Sequence, residues 1–120
     1  MRSLLFVLLL ASGHAFGADD VFVGWVSDSS CASARASNGK YTATNPECAR
    51  RCVKEGKDVV LIDPETKAVY SIENQAALKS QVGNKVQVYA RKTGNRALHV
   101  EKVTFLEEAN PECERPPLKD

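Results

Sequence analysis

Five short apolar runs determine how this 120-residue chain can fold. Turn-forming residues join four of these runs into two pairs. In the second pair, Val86, Val88 and Ala90 alternate with polar neighbours, which is the period of a strand with one buried face. The sequence therefore predicts five strands, the last four forming two β-hairpins. The runs occupy residues 21–26, 59–62, 68–72, 85–92 and 97–106.

A helix is predicted between the first and second strands. It begins at Asn45, a good N-cap, and continues with Pro46 and Glu47, which suit the first turn of a helix. Gly56 provides the C-terminal stop. The segment before this helix, residues 27–44, is polar and is predicted to be a loop.

Two local features are predicted in the second half of the chain. A short helix is expected over residues 75–82, between the third and fourth strands, because Asn74 can cap it. The apolar residues of the last strand change phase midway, and a β-bulge near Glu101 and Lys102 would reconcile the two phases.

Together these elements predict a mainly β domain over residues 18–109. Five strands with a helix between the third and fourth match the OB-fold, a five-stranded Greek-key barrel. The helix that carries two cysteines is then an insertion between strands 1 and 2. The alternative is an open α+β sheet with both helices on one face.

Residues 1–17 have the pattern of a secretory signal peptide. Arg2 supplies the positive charge, residues 4–11 the apolar run, and Ala15-Phe16-Gly17 the small-x-small cleavage site. We therefore expect a secreted or periplasmic protein. No later run approaches the roughly 20 apolar residues of a spanning helix, so no membrane span is expected after cleavage. Residues 110–120 are expected to be a C-terminal segment tied by Cys113, with a mobile tail.

The charge balance argues against one class of partner. The chain has 16 Lys+Arg and 15 Asp+Glu, for a formal net charge of +1. A nucleic-acid binder normally shows a strong basic excess or a basic stripe. No nucleic-acid partner is therefore expected, and the predicted partner is an unidentified protein or small molecule.

The four cysteines are expected to meet at one end of the barrel, because the first, third and fifth strands of an OB barrel run the same way. An exported protein can keep disulfides, so two bonds are the first prediction. Two cysteines one turn apart on a helix would strain the backbone if they bonded each other. The preferred pairs are Cys31–Cys52 and Cys48–Cys113, and the reverse pairing stays open.

A thiol-based metal site for zinc or copper, or a redox pair, is the alternative. The usual zinc signature has two pairs of ligands, each two to four residues apart, and only Cys48 and Cys52 have such a spacing. A thioredoxin-like activity would need Cys-x-x-Cys beside a βαβ pattern, which this sequence lacks. No metal ligand and no cofactor is therefore predicted.

Two motifs carry a family resemblance. Residues 24–31 read Gly-Trp-Val-Ser-Asp-Ser-Ser-Cys, and residues 48–56 read Cys-Ala-Arg-Arg-Cys-Val-Lys-Glu-Gly. With them the chain resembles a family of small exported bacterial OB-like domains that brings no known activity. The resemblance covers nearly all of the chain after residue 17 and implies a periplasmic or secreted location. Members often carry Gly and then His after the first cysteine, whereas this chain has Ala32 and no His before Cys48, which argues against a Cys/His metal site.

The candidate binding residues form two sets. A stacking patch for an oligosaccharide or oligonucleotide on the barrel face would use Tyr70, Tyr89, Arg91 and Arg96. An anion or acidic partner near the cysteines would use Arg50, Arg51 and Lys54. No activated nucleophile or positioned acid–base pair is recognisable, so no catalytic residue is predicted. The sequence favours an exported, non-catalytic binding or structural module with two disulfides.

Overall fold

The computed structural model describes residues 20–109. In this range the chain forms five strands, two α-helices and two short 3-10 turns. They are β1 (Asp20–Asp28), α1 (Ser29–Ser37), α2 (Pro46–Lys54), β2 (Val59–Asp63), β3 (Ala68–Ile72), the 3-10 turns Gln75–Ala77 and Lys79–Gln81, β4 (Asn84–Gly94) and β5 (Ala97–Glu108). The predicted signal peptide (1–17) and the predicted C-terminal segment (110–120) lie outside the described residues.

The five strands form a closed barrel in the order β1-β2-β3-β5-β4, and β4 pairs back onto β1. Neighbouring strands are antiparallel except β3 and β5, which run parallel. The predicted five-stranded barrel with inserted helices is confirmed, and the open α+β sheet is excluded. Among residues 20–109, no helix combines the length and the hydropathy needed to cross a membrane.

β1 closes the barrel because it pairs with two neighbours in succession. Its first half pairs with β4 and its second half with β2, and Trp25 is the residue common to both ladders. Gly24 lies beside this change of partner, where an added Cβ would lie 2.2 Å from the carbonyl oxygen of Ile62. The two backbones approach so closely that only glycine fits.

One main core fills the barrel. Val86, Val88 and Ala90 of β4 are completely buried, as their alternation predicts. α2 packs against this core through Ala49 and Val53. The other strands contribute Phe22, Val26, Val59, Leu61, Ala68, Tyr70, Ile72, Leu98 and Val100.

The start of α2 confirms the predicted N-cap. The side chain of Asn45 accepts hydrogen bonds from the backbone N–H groups of Glu47 (3.0 Å) and Cys48 (3.1 Å). Pro46 occupies the first turn, where its missing N–H costs nothing. After the helix ends at Lys54, Gly56 adopts a φ of 101°, a left-handed conformation that favours glycine.

The prediction of a loop over residues 27–44 is wrong, because α1 occupies half of it. Asp28 caps this helix, and its Oδ2 accepts a hydrogen bond from the N–H of Cys31 at 3.0 Å. The helix is short and rich in Ser and Ala, and its only buried residue is Ala32. It therefore has no apolar stripe from which it could have been predicted, and its first turn depends on the cap.

The predicted helix over residues 75–82 is also corrected, since two 3-10 turns take its place. Leu78 separates them and is completely buried. Gln75 is held by the backbone, with its side chain bonding the N–H and C=O of Val59 and the C=O of Ile72. Asn74 makes no capping bond and instead reaches across to β5.

The predicted β-bulge in β5 is confirmed. Tyr89 pairs with Lys102 and Ala90 pairs with Val100, which leaves Glu101 as an extra residue on β5. The bulge shifts the phase of the strand by one residue. Val100 before it is buried, and Val103 after it still packs against the core.

Candidate functional site

The structure brings three cysteines together on the two helices between β1 and β2. Cys31 lies in the first turn of α1, and Cys48 and Cys52 lie on α2. The Sγ atoms of Cys31 and Cys52 and a carboxylate oxygen of Asp28 all lie within 4.8 Å of one another. Cys31 and Cys48 line a cavity of about 290 Å³ between the helices.

Cys31, Cys48 and Cys52 are free thiols in this structure. The predicted Cys31–Cys52 disulfide stays a prediction that the closeness of the two sulfur atoms makes feasible. The partner in the predicted Cys48–Cys113 pair lies outside the described residues. Cys48 is exposed, whereas Cys31 and Cys52 are half-buried.

Asp28 is the most unusual polar residue of this cluster. Its side chain is completely buried, and its Oδ2 is occupied by the capping bond from Cys31. Its Oδ1 has no hydrogen-bond partner among the described residues. No local sequence signal marks Asp28, because its burial depends on the tertiary fold.

The surroundings of Cys31 keep its thiol protonated. Burial raises the pKa of Cys31 to about 12, assisted by a hydrogen bond to Asp28 and by repulsion from Asp28 and Cys52. The thiolate is the nucleophilic form of cysteine, so this thiol is poorly suited to nucleophilic chemistry at neutral pH. Cys31 is therefore not placed to act as a catalytic nucleophile.

A basic groove lies between α2 and the segment that connects β3 to β4. Its cavity of about 460 Å³ is lined by Arg50, Val53, Lys54, Lys79 and Val82. The valines provide an apolar floor, and the three cations come from two separate elements. We refer to these five residues as the basic groove.

Arg50 is fixed in the basic groove by two contacts. Its Nε donates to the carbonyl oxygen of Val82 at 3.1 Å. Its guanidinium packs against Gly83, where an added Cβ would lie 3.1 Å from Nη2. Gly83 has a φ of 94°, so the backbone turn also requires glycine. With Nε engaged, the terminal N–H groups of Arg50 remain to bind a ligand.

The predicted binding residues do not all lie together in the structure. Arg50 and Lys54 meet in the basic groove, whereas Arg51 is exposed and does not line it. Lys79, which the sequence did not single out, joins them from the second 3-10 turn between β3 and β4. No local sequence signal marks this contact, since it depends on the tertiary fold.

The predicted stacking patch is corrected at Tyr70. This residue lies in the core, edge-on to Phe22 with ring centroids 5.1 Å apart, because its position on β3 points into the barrel. Tyr89 and Arg91 do lie on the outer face of β4. Lys102 covers the ring of Tyr89 at 5.7 Å, and Arg91 pairs with Glu101 at 3.9 Å.

Arg96 lies in the exposed turn between β4 and β5. Its carbonyl oxygen accepts hydrogen bonds from the N–H and the hydroxyl of Ser71 at 2.8 and 3.1 Å. The backbone of Arg96 thus supports the contact between β3 and the start of β5. Its side chain is separate from the basic groove and does not line it.

The outer face of β2 and β3, which OB-folds commonly use for ligands, is covered by α1. Ala32 of this helix packs against Val60 and Ile62, with Trp25, Tyr41 and Val69 around them. This cover and the burial of Tyr70 remove the surface on which oligosaccharide or oligonucleotide binding was expected. Oligosaccharide or oligonucleotide binding stays a prediction, and Tyr89 and Arg91 are the residues of the predicted patch that lie on the outer face of β4.

Comparison with known proteins gives no relative from which a function could be transferred. No protein-family model, no curated protein and no solved structure matches this chain. The family resemblance described above stays an expectation.

Proposed function

We propose that the protein is an exported, non-catalytic binding module that takes a small anionic ligand with an apolar body in the basic groove. The observation that carries this proposal is the convergence of Arg50, Lys54 and Lys79 around Val53 and Val82. Export rests on the signal-peptide pattern of residues 1–17.

The charges of the basic groove favour an anion. No ion pair links Arg50, Lys54 or Lys79 to an acidic side chain among residues 20–109. Arg50 is held in place before any ligand arrives, which reduces the entropy that binding must overcome. A guanidinium binds a carboxylate or phosphate through two parallel hydrogen bonds, and the lysines add positive charge.

The size and floor of the basic groove define the rest of the ligand. Its cavity of about 460 Å³ falls within the range of small-molecule sites, roughly 300–1,000 Å³. Val53 and Val82 offer an apolar surface to an alkyl or ring portion. A single-chain amphiphile with a phosphate or carboxylate head satisfies both requirements.

Octyl phosphate, with octanol as its neutral counterpart, tests this proposal in calorimetric titrations of the protein. We expect octyl phosphate to bind and octanol to bind at least about tenfold more weakly. Added salt should weaken the binding of octyl phosphate. Lys54→Ala and Lys79→Ala should each lower the affinity for octyl phosphate roughly three- to tenfold, or about 0.7–1.4 kcal/mol.

Arg51→Ala is the matched control, because Arg51 is an exposed cation on the same helix that does not line the basic groove. It should leave the affinity for octyl phosphate unchanged. Equal affinity for octyl phosphate and octanol would reject an anion site. Equal losses in Arg51→Ala and Lys79→Ala would show that binding follows net charge and not the basic groove.

A further inference from the structure

A second candidate site lies outside the basic groove. Asp28, Cys31 and Cys52 come from the end of β1, the first turn of α1 and the last turn of α2. One carboxylate oxygen and two sulfur atoms there lie within 4.8 Å of one another. The ligand binding proposed for the basic groove involves none of these three residues.

We propose that Asp28, Cys31 and Cys52 form a binding site for a zinc ion, with a fourth position open to water. Two thiolates and one carboxylate are ligands that Zn²⁺ accepts, at about 2.3 Å for sulfur and 2.0–2.2 Å for oxygen. Around one tetrahedral ion such ligands are separated by somewhat less than 4 Å, as follows from these bond lengths. The observed spacing therefore needs only side-chain adjustment.

The buried carboxylate is the independent observation that points to a cation. Asp28 is completely buried, and its Oδ1 has no hydrogen-bond partner among the described residues. An ionised carboxylate in such surroundings is unfavourable unless it is paired or binds a metal. Oδ2 accepts the capping bond of α1, so Oδ1 is the carboxylate oxygen that lacks a partner.

The donor set selects among metals. Magnesium and calcium prefer oxygen ligands only, and copper(I) prefers soft sulfur ligands without a carboxylate. A mixed set of two thiolates and one carboxylate suits Zn²⁺, and Co²⁺ can replace it as a spectroscopic probe. Binding releases the two thiol protons and transfers no electron.

The same two sulfur atoms could instead form the predicted disulfide, and the structure offers a reason to favour the metal. A disulfide needs an oxidant that accepts two electrons, and it would leave Asp28 Oδ1 without a partner. Zinc needs no oxidant, and its double positive charge offsets most of the negative charge of the two thiolates and the carboxylate. The zinc site is independent of the basic groove, so either proposal can fail without the other.

A cobalt titration of the reduced protein, carried out without oxygen, tests the site. We expect one equivalent of Co²⁺ to produce sulfur-to-cobalt charge-transfer bands and the visible bands of a tetrahedral ion, and Zn²⁺ to displace it. Asp28→Asn and Cys52→Ser should each weaken the affinity for Co²⁺ at least about tenfold. Asn is a good N-cap, so Asp28→Asn removes the charge while preserving α1.

Cys48→Ser is the matched control, since Cys48 is on the same helix as Cys52 but outside the cluster. It should leave the affinity for Co²⁺ unchanged, and circular dichroism should show that every variant is folded. A folded, reduced protein that takes up no Co²⁺ would overturn the proposal. The proposal would also be overturned if Cys48→Ser lost as much affinity for Co²⁺ as Cys52→Ser does.

Discussion

Asn74 hydrogen-bonds both backbone groups of Val100 through its side-chain amide. Its Nδ2 donates to the carbonyl oxygen and its Oδ1 accepts from the N–H, each at 2.8 Å. The parallel ladder between β3 and β5 has only two pairs, Ser71↔Ala97 and Ile72↔Leu98. The amide of Asn74 therefore continues this short ladder just beyond β3.

Replacing Asn74 by Ala should weaken this seam of the barrel. The change removes two hydrogen bonds and leaves the N–H and C=O of Val100 without these partners. We expect a loss of about 2–4 kcal/mol in the free energy of unfolding, measured by urea denaturation. Asn95→Ala, in the exposed β4–β5 turn, is the control and should cost less. Equal losses of unfolding free energy in the two variants would show that the hydrogen bonds between Asn74 and Val100 do not stabilise the barrel.

Gly24→Ala should distort the point where β1 changes partners. The added Cβ would lie 2.2 Å from the carbonyl oxygen of Ile62, so the backbone of β1 or β2 must move. We expect a loss of at least about 2 kcal/mol of stability, or no folded protein. At Gly94 the nearest atom is the Cβ of Ala97 at 3.3 Å, so Gly94→Ala should be milder. The prediction fails if both variants melt at the same temperature.

Cys31 should react slowly with iodoacetamide in the reduced, metal-free protein. Burial and the neighbouring Asp28 raise its pKa to about 12, so its thiolate is scarce at pH 8. Exposed Cys48 should be alkylated at least about tenfold faster, as peptide mass spectrometry can measure. The rate at Cys31 should rise continuously up to about pH 12.

Asp28→Asn should lower the pKa of Cys31, because the negative charge of Asp28 is removed. Alkylation of Cys31 at pH 8 should then accelerate while that of Cys48 stays the same. An unchanged rate at Cys31 would mean that Asp28 has no influence on this thiol.

The position of Ala109 makes the predicted Cys48–Cys113 bond testable. Its N–H donates to the carbonyl oxygen of Gly83 at 2.9 Å, and Gly83 packs against Pro46 at the start of α2. Cys113 is four residues further along the chain, outside the described residues. We therefore expect a Cys48–Cys113 peptide in digests of the oxidised protein.

Cys113→Ser should free Cys48 for alkylation and cost about 4 kcal/mol of stability in the chain-entropy model. The same substitution in the reduced protein should have little effect on stability. The reduced parent and the reduced Cys113→Ser variant are therefore the control. A freely reactive Cys48 in the oxidised parent protein would contradict this bond.

The barrel was predictable because its signals are local and periodic. The alternation at Val86, Val88 and Ala90, the cap at Asn45 and the phase change at Glu101 each depend on neighbouring residues. α1 was missed because a Ser- and Ala-rich helix capped by Asp28 has no apolar stripe.

The sites were predictable only in part, for a related reason. The charges on Arg50 and Lys54 are visible in the sequence, but Lys79 joins them only through the tertiary fold. Asp28 acquires its unusual environment from helices that pack over it. Burial of a single polar atom depends on the packing of several elements, which no local pattern specifies.

The sharing of β1 between two neighbours also has a mechanical consequence. Hydrogen bonds in an antiparallel ladder are perpendicular to the strands. A force applied along β1 from Asp20 would act first on the ladder with β4 and then, past Trp25, on the ladder with β2. Both ladders would be loaded in shear, so β1 should resist extraction better than a strand that can be peeled from a single partner.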